Sequence, residues 1–79
     1  MTHSVFTNKY CRLRTLLIDA RQCAGLSQAE VAARLNRNQT FVSKYERGER
    51  RIDVIEFLEV VRILGGDPTT IIRQLEETE

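Results

Sequence analysis

The sequence predicts an all-α fold, with five short helices packed into one compact domain. Two capping signals, Ser27 with Glu30 and Asp53 with Glu56, pair an N-cap side chain with a glutamate three residues later. After each signal, apolar residues recur at intervals of three and four, as on the buried face of a helix. No segment shows the strict polar–apolar alternation of a half-buried strand, so a sheet is not expected.

We assign residues 1–8 to an N-terminal tail and residues 9–79 to a single helical domain, since 79 residues allow only one. The first helix is predicted over about residues 9–24 and ends at Gly25, a typical residue just after a helix. Its apolar stripe has the spacing of a buried helix face and consists of Tyr10, Leu13, Leu17, Ala20 and Ala24. His3 is interpreted as a tail residue rather than a ligand.

Two shorter helices joined by a tight turn are predicted over about residues 28–35 and 39–46. Asn36 falls at the turn, where asparagine tolerates the left-handed backbone better than any residue except glycine. Asn38 is expected to cap the second of these helices, and Gly48 to close it. The residues expected on their buried sides are Val31, Ala32, Leu35, Val42 and Tyr45.

Two further helices are predicted over about residues 54–64 and 68–76. Gly65-Gly66 ends the first of them, and Asp67-Pro68 is typical of the N-cap and first helical position of the second. The inward residues expected on the last helix are Ile71, Ile72 and Leu75.

The helix predicted over residues 54–64 has more apolar surface than one core requires. Its only polar residues, at positions 56, 59 and 62, share a strip about 120° wide and leave roughly 240° apolar. Two interpretations are open: the last helix covers the second apolar face together with Val5 and Phe6, or another subunit does. The second interpretation predicts a homodimer, and its candidate surface residues are Val60, Ile63 and Ile72.

Charge is distributed unevenly along the chain, although the net charge is only +1. Residues 34–51 carry six Lys or Arg against two Glu, a net +4, and residues 1–33 carry four basic against two acidic residues, a net +2. Residues 52–79 carry seven acidic against two basic residues, a net −5. The most basic part coincides with the two short helices, as expected where a protein contacts a polyanion.

Several classes of protein are excluded by the sequence. Cys11 and Cys23 both fall in the first predicted helix, ~18 Å apart along its axis, whereas a disulfide needs Cα atoms within about 7 Å. No apolar run approaches the ~20 residues of a transmembrane helix, and the N-terminus lacks a secretion signal, so we expect a cytoplasmic protein. With one histidine, no nucleophile elbow and no glycine-rich phosphate loop, we expect no catalysis, metal, cofactor or small-molecule substrate.

Two segments carry a resemblance to a known family: Leu26-Ser-Gln-Ala-Glu-Val-Ala32 and Val42-Ser-Lys-Tyr-Glu-Arg-Gly48. With the flanking helices, they resemble the helix-turn-helix of the Cro/Xre (lambda-repressor-like) family over about residues 13–75. Ala32 is small where the two helices cross. Asn36 departs from the family, which usually has glycine there. The resemblance implies a compact five-helix DNA-binding domain with its helix-turn-helix at the second and third helices.

The resemblance also implies which side chains would contact DNA. Gln39, Thr40 and Lys44 match positions whose side chains enter the major groove, and Ser43 lies one turn along from Gln39, where it can reach a base or a phosphate. Gln28 begins a helix, where free N–H groups favour a phosphate, and the matching family glutamine contacts the DNA backbone. The complete set of expected phosphate contacts is Gln28, Arg37, Asn38, Arg47 and Arg50.

Two further assignments concern the protein rather than the DNA. Arg21 and Glu46 match a family ion pair that joins the first helix to the end of the recognition helix. Phe41 is left with two alternatives, which are packing against the 49–52 connection and contact with a thymine methyl or a sugar.

The first function hypothesis is a double-stranded-DNA-binding transcriptional regulator, a repressor that reads a palindromic operator as a homodimer. The alternative is a protein-interaction module, such as an antitoxin-like subunit that binds a partner through the apolar surface of the last two helices. The two are compatible, because they use different surfaces.

Overall fold

The computed structural model describes residues 7–78, which form five α-helices and no strand. Each helix begins and ends within one residue of its predicted bounds, and the all-α fold class is confirmed. His3, Val5 and Phe6 lie outside the described residues. None of the helices within residues 7–78 is long and apolar enough to cross a membrane. The helices are α1 Asn8–Cys23, α2 Gln28–Leu35, α3 Gln39–Arg47, α4 Val54–Leu64 and α5 Pro68–Glu76.

Both capping boxes form, which explains where α2 and α4 begin. Ser27 Oγ accepts from the Glu30 N–H at 3.0 Å, and Glu30 Oε1 accepts from the Ser27 N–H at 2.8 Å. Asp53 and Glu56 repeat this exchange at 2.7 and 2.9 Å. Asn38 occupies the N-cap position of α3, as predicted, but its side chain makes no capping hydrogen bond.

The turn between α2 and α3 depends on one residue in the left-handed region. Asn36 has φ 59° and ψ 44°. In this conformation its N–H donates to Ala33 O at 3.1 Å, while the Arg37 N–H donates to Ala32 O at 2.9 Å. Carbonyls at the end of α2 are thereby satisfied, and the three residues 36–38 lead the chain into α3.

The core lies where α3 packs against α2 and α1, with α4 across α2 and α5 against α1 and α4. Ala24, which was expected inside, is exposed because it caps the end of α1 instead of continuing it. The side chains that are almost completely buried are Leu17, Val31, Val42, Tyr45, Val60 and Val61.

The orientation of α4 differs from the prediction in two ways. Glu56 was placed on the solvent side with positions 59 and 62, but only 7% of it is exposed. Val60, a candidate for the dimer surface, is completely buried in the monomer core and cannot form that surface. Ile63 is half-buried.

Exposed apolar residues share the solvent side of α4 with Glu59 and Arg62, and one further exposed apolar residue lies on α5. The exposed large apolar side chains, with their exposed fractions, are Val54 (71%), Ile55 (63%), Leu58 (40%) and Ile72 (45%). Ile72, which was also expected to face inward, is therefore the one of the three candidates for the dimer surface that is exposed.

Candidate nucleic-acid interface

Helix α3 presents two chemically different sides. Its inward side consists of apolar and aromatic residues, together with one glutamate. On the outward side Gln39, Thr40 and Lys44 are exposed and Ser43 is half-buried, in keeping with the one-turn spacing of these positions. The four residues assigned to base reading therefore share one accessible side, with donors and a cation that suit base edges.

The last turn of α3 is anchored through the buried carboxylate of Glu46, which is 5% exposed. Arg21 Nε lies 2.8 Å from Oε2 and its Nη2 lies 3.1 Å from Oε1, a bidentate pair. Gln28 Nε2 donates to Oε1 at 2.8 Å. Hydrogen bonding to Glu46 raises the pKa of the Arg21 guanidinium. The contacts tie α1 and α2 to the end of α3.

Two further contacts to the end of α3 were not anticipated from the sequence. Arg14 Nε donates to the backbone oxygen of Glu46 at 2.9 Å. A Cβ at Gly48 would lie 3.1 Å from the Arg14 guanidinium carbon and would require that side chain to shift slightly, while the φ of 80° itself favours glycine. A lone arginine on a helix gives no sequence signal for a contact with a distant backbone carbonyl.

The first turn of α3 is anchored by Phe41, which is 8% exposed. Its ring packs edge-to-face on Tyr45, with centroids 5.3 Å apart. The guanidinium carbons of Arg37 and Arg50 lie 4.2 and 4.8 Å from its centroid, within the range of a cation–π contact. Of the two alternatives for Phe41, the structure therefore shows packing, in part against the 49–52 connection.

Glu56 accepts hydrogen bonds from the same two arginines. Arg50 donates to it through Nη1 and Nη2, each at 3.0 Å, and Arg37 donates through Nη2 at 3.0 Å. With the Asp53 N–H, these contacts satisfy both carboxylate oxygens. Hydrogen bonding from Arg50, added to the nearby positive charge, lowers the pKa of Glu56 to about 2 despite its burial.

The expected phosphate contacts are spread over both ends of α3, and in the unbound protein most already have partners. Gln28 is bonded to Glu46, and Arg37 and Arg50 to Glu56, as described above. Arg47 donates to both oxygens of Glu49, at 3.0 and 3.1 Å, and to Ser43 Oγ. Asn38 is exposed in the turn. DNA would therefore have to replace or share several existing contacts.

The second exposed feature is a groove that is lined mainly by apolar residues, in contrast to the polar side of α3. It runs between the start of α4 and α5, and α1 closes one side. The groove is lined by Leu13, Ile52, Asp53, Val54, Phe57, Ile72 and Leu75.

Within residues 7–78, no group of three or more His, Cys, Asp or Glu side chains is placed to hold a metal ion.

Comparison with known proteins gives consistent matches over most of the chain. Residues 17–71 match the family model described as helix-turn-helix. The uncharacterized HTH-type transcriptional regulator y4dJ of Sinorhizobium fredii (strain NBRC 101917 / NGR234) is 36% identical over 58 residues, which are 73% of this chain and 75% of that protein. The solved structure of an XRE-family like protein from Pseudomonas syringae pv. tomato str. DC3000 shares 51% identity with a TM-score of 0.84, over 87% of this chain and 84% of that one.

Proposed function

The chain belongs to the XRE-type helix-turn-helix family of transcriptional regulators, and from that membership we propose that it represses transcription by reading a palindromic operator as a homodimer. The resemblance seen in the sequence is thereby confirmed, and the family implies binding to double-stranded DNA. The operator, the homodimer and repression are the further steps of the proposal. We place its action in the cytoplasm, where a regulator of this kind meets its DNA.

The observation that carries the proposal is the exposed polar side of an anchored α3. Specific readout requires side chains that reach base edges from a helix whose position is fixed. Glutamine can pair with adenine, lysine with the acceptor edge of guanine, and threonine with a thymine methyl or a base acceptor. We therefore assign base reading to Gln39, Thr40, Ser43 and Lys44.

The phosphate contacts that we propose surround this side of α3. Arg37 and Asn38 precede the helix, whereas Arg47 and Arg50 lie at its last residue and beyond it. Gln28 lies at the start of α2, where the positive end of the helix dipole favours an anion. Contacts on both sides of the groove would set the depth and register of α3 without reading sequence.

The homodimer is supported by the exposed apolar residues of α4 and α5. Exposed apolar side chains grouped on neighbouring helices are typical of interaction surfaces. A twofold-symmetric pair would place two recognition helices in successive major grooves, ~34 Å apart. The surface that we propose consists of Val54, Ile55, Leu58 and Ile72, and it replaces the one that included Val60.

The same apolar surface favours a second candidate function. An antitoxin-like or scaffold subunit would use it to bind a different protein, while α3 stays free for DNA. The two candidates differ in what covers Ile55 and Ile72, a second copy of the chain or an unrelated partner.

The test of DNA readout is selection from a randomised duplex pool. We expect the wild type to enrich a palindromic motif, and Gln39→Ala/Lys44→Ala to lose that enrichment while it stays folded. Arg73→Ala/Gln74→Ala is the matched control, because it removes one amide and one cation from exposed positions of α5. Enrichment of a single half-site would argue against the dimer. Weak, sequence-independent binding that the double variant retains would refute specific recognition.

A further inference from the structure

Two arginines from different connections converge on one buried carboxylate beside the recognition helix. Arg37 lies in the α2–α3 turn and Arg50 in the α3–α4 connection, and an Nη2 atom of each lies 3.0 Å from Glu56 Oε2. The Glu56 side chain is 9% exposed, whereas those of Arg37 and Arg50 are 39% and 40% exposed. Glu56 therefore holds the two guanidinium groups from the protein side and leaves a large part of each to solvent.

Phe41 restricts the same two groups further. Each guanidinium carbon lies within 5 Å of its ring centroid, at 4.2 and 4.8 Å. Arg50 is also fixed by donating from Nη1 to the backbone oxygen of Arg51 at 2.9 Å. Phe41 belongs to the first turn of α3, which also carries Gln39 and Thr40, so the cluster lies at the same end of the helix as the first base-reading residues.

We propose that Glu56 is a positioning residue for DNA binding, which orders Arg37 and Arg50 into one paired phosphate-binding site at the start of α3. The inference rests on the proposed function and deepens it, since it assigns a role in DNA binding to an acidic residue that does not touch DNA. Glu56 acts through the two arginines alone.

Charge alone would predict that Glu56 weakens DNA binding, because a carboxylate near DNA repels phosphate. The opposing effect is that Glu56 restricts the side-chain conformations of Arg37 and Arg50. A free arginine side chain loses much rotational freedom when it binds a phosphate, and a guanidinium held in place beforehand loses less. Within the described residues Arg37 gives Glu56 only one of its five N–H groups, so most of its planar donor set stays available to phosphate oxygens.

The two effects predict opposite results for Glu56→Gln. If charge repulsion dominates, the variant binds DNA more tightly. If positioning dominates, it binds less tightly. Glutamine is also accepted at this place in a capping box, so the start of α4 is retained. Glu30→Gln is the matched control, because Glu30 has the same position in the capping box of α2 and accepts no hydrogen bond from an arginine in the described structure.

The experiment measures binding to a short duplex of mixed sequence over a series of salt concentrations, with thermal melting to check folding. Phosphate contacts do not depend on sequence, and each contributes about 0.9 to the slope of log K against log salt. We expect Glu56→Gln to bind roughly tenfold more weakly, by about 1.4 kcal/mol, with a slope smaller by about one to two. Glu30→Gln should bind as the wild type does or slightly more tightly.

Unchanged or tighter binding by Glu56→Gln, with an unchanged slope, would overturn the positioning role. The proposed function would not be affected, because the selection from a randomised duplex pool tests it separately. Failure of the wild type to bind any duplex would overturn both. If Glu56→Gln does not fold, Arg37→Lys and Arg50→Lys give the answer, because lysine keeps the charge but not the planar donor set. We expect both lysine variants to bind more weakly, and wild-type affinity in both would refute the paired site.

Discussion

Two buried glutamates organise the arginines around α3, and each does so at a different end. Glu46 at the last turn holds Arg21, and Glu56 holds Arg37 and Arg50 beside the first turn. A buried carboxylate is costly unless it is paired and hydrogen-bonded, so removal of one partner leaves the other uncompensated. These pairs therefore matter more for the position of α3 than the exposed pair of Arg47 with Glu49.

Arg21→Ala should destabilise the protein by about 3 kcal/mol, because it leaves the Glu46 carboxylate buried with Gln28 as its remaining side-chain donor. Urea unfolding monitored by circular dichroism measures the loss. Arg12→Ala is the control, since Arg12 is exposed on the same helix, and it should change the free energy of unfolding by less than about 0.5 kcal/mol. Similar losses for the two variants would show that the Arg21–Glu46 pair does not stabilise the fold.

The low pKa of Glu56 predicts a loss of stability in acid. Its pKa of about 2 in the folded protein lies below the ordinary value of 4.5, so the unfolded chain takes up a proton first as the pH falls. The contribution of the ionised Glu56 carboxylate to the free energy of unfolding is present above pH 4.5 and is lost as the pH falls toward 2. Its size is at most about 3 kcal/mol.

Unfolding of the wild type and Glu56→Gln at a series of pH values tests this assignment. The difference between their free energies of unfolding should be largest near neutral pH and shrink below pH 4.5. A difference that stays constant down to pH 2 would mean that Glu56 stabilises the fold by packing rather than by its charge.

Glu56 also shows where residue-by-residue prediction from this sequence fails. Periodicity assigned it to solvent because it is charged and repeats with positions 59 and 62. Its partners come from two connections, 6 and 19 residues away, and no local pattern brings them together. Arg21 and Glu46 were named together only because the family resemblance supplies long-range information that spacing alone does not contain.

The α2–α3 turn is the element on which the helix-turn-helix geometry depends most directly. Asn36 has a positive φ, whereas Asn38, two residues later, has φ −69° and makes no capping hydrogen bond. Side-chain chemistry is thus the same at the two positions, but backbone conformation is not. Comparison of the two asparagines separates backbone strain from loss of an amide.

Asn36→Ala should cost about 1 kcal/mol, since alanine tolerates the left-handed region less well than asparagine. Asn36→Gly should be neutral or slightly stabilising, and Asn38→Ala should cost less than Asn36→Ala. Chemical denaturation of the three variants measures the differences. A larger loss for Asn38→Ala than for Asn36→Ala would contradict this explanation of the turn.

Helix bounds were predictable in this chain because their signals are local. Capping boxes, Gly48, Gly65 and Asp67-Pro68 each act within a few residues, so the bounds fall within one residue of prediction. The rotation of α4 about its axis was not predictable in the same way. With apolar residues on most of its circumference, the pattern of α4 alone does not decide which of them face the core, and the observed orientation also buries Glu56 against Arg37 and Arg50.

At the scale of the whole molecule, the question is whether the polar side of α3 and the exposed apolar residues of α4 and α5 act together in one DNA-binding dimer. Helix α3 carries the exposed donors and cations, and α4 with α5 carries the exposed apolar side chains. A domain of this size has a small core and modest stability, so burial of further apolar surface in a dimer would stabilise the fold as well as align two recognition helices.

We therefore predict that the wild type dimerises at micromolar concentrations and that Ile55→Glu/Ile72→Glu is a folded monomer. Each substitution places a charge at an apolar position that is exposed, by 63% and 45%, and neither replaces a residue of the buried core. Sedimentation equilibrium measures the association. The monomeric variant should bind a full palindrome far more weakly than the wild type does, but should bind a single half-site with equal affinity, because α3 is unchanged.

Gln22→Glu/Gln74→Glu is the control for this last prediction, since it adds the same charge at exposed positions of α1 and α5. It should remain a dimer, which would show that position and not net charge decides assembly. A wild type that stays monomeric at high concentration, yet binds a palindrome cooperatively, would mean that DNA brings the two copies together. A wild type that is monomeric and binds only half-sites would leave the α4–α5 surface to a different protein, as the second candidate function requires.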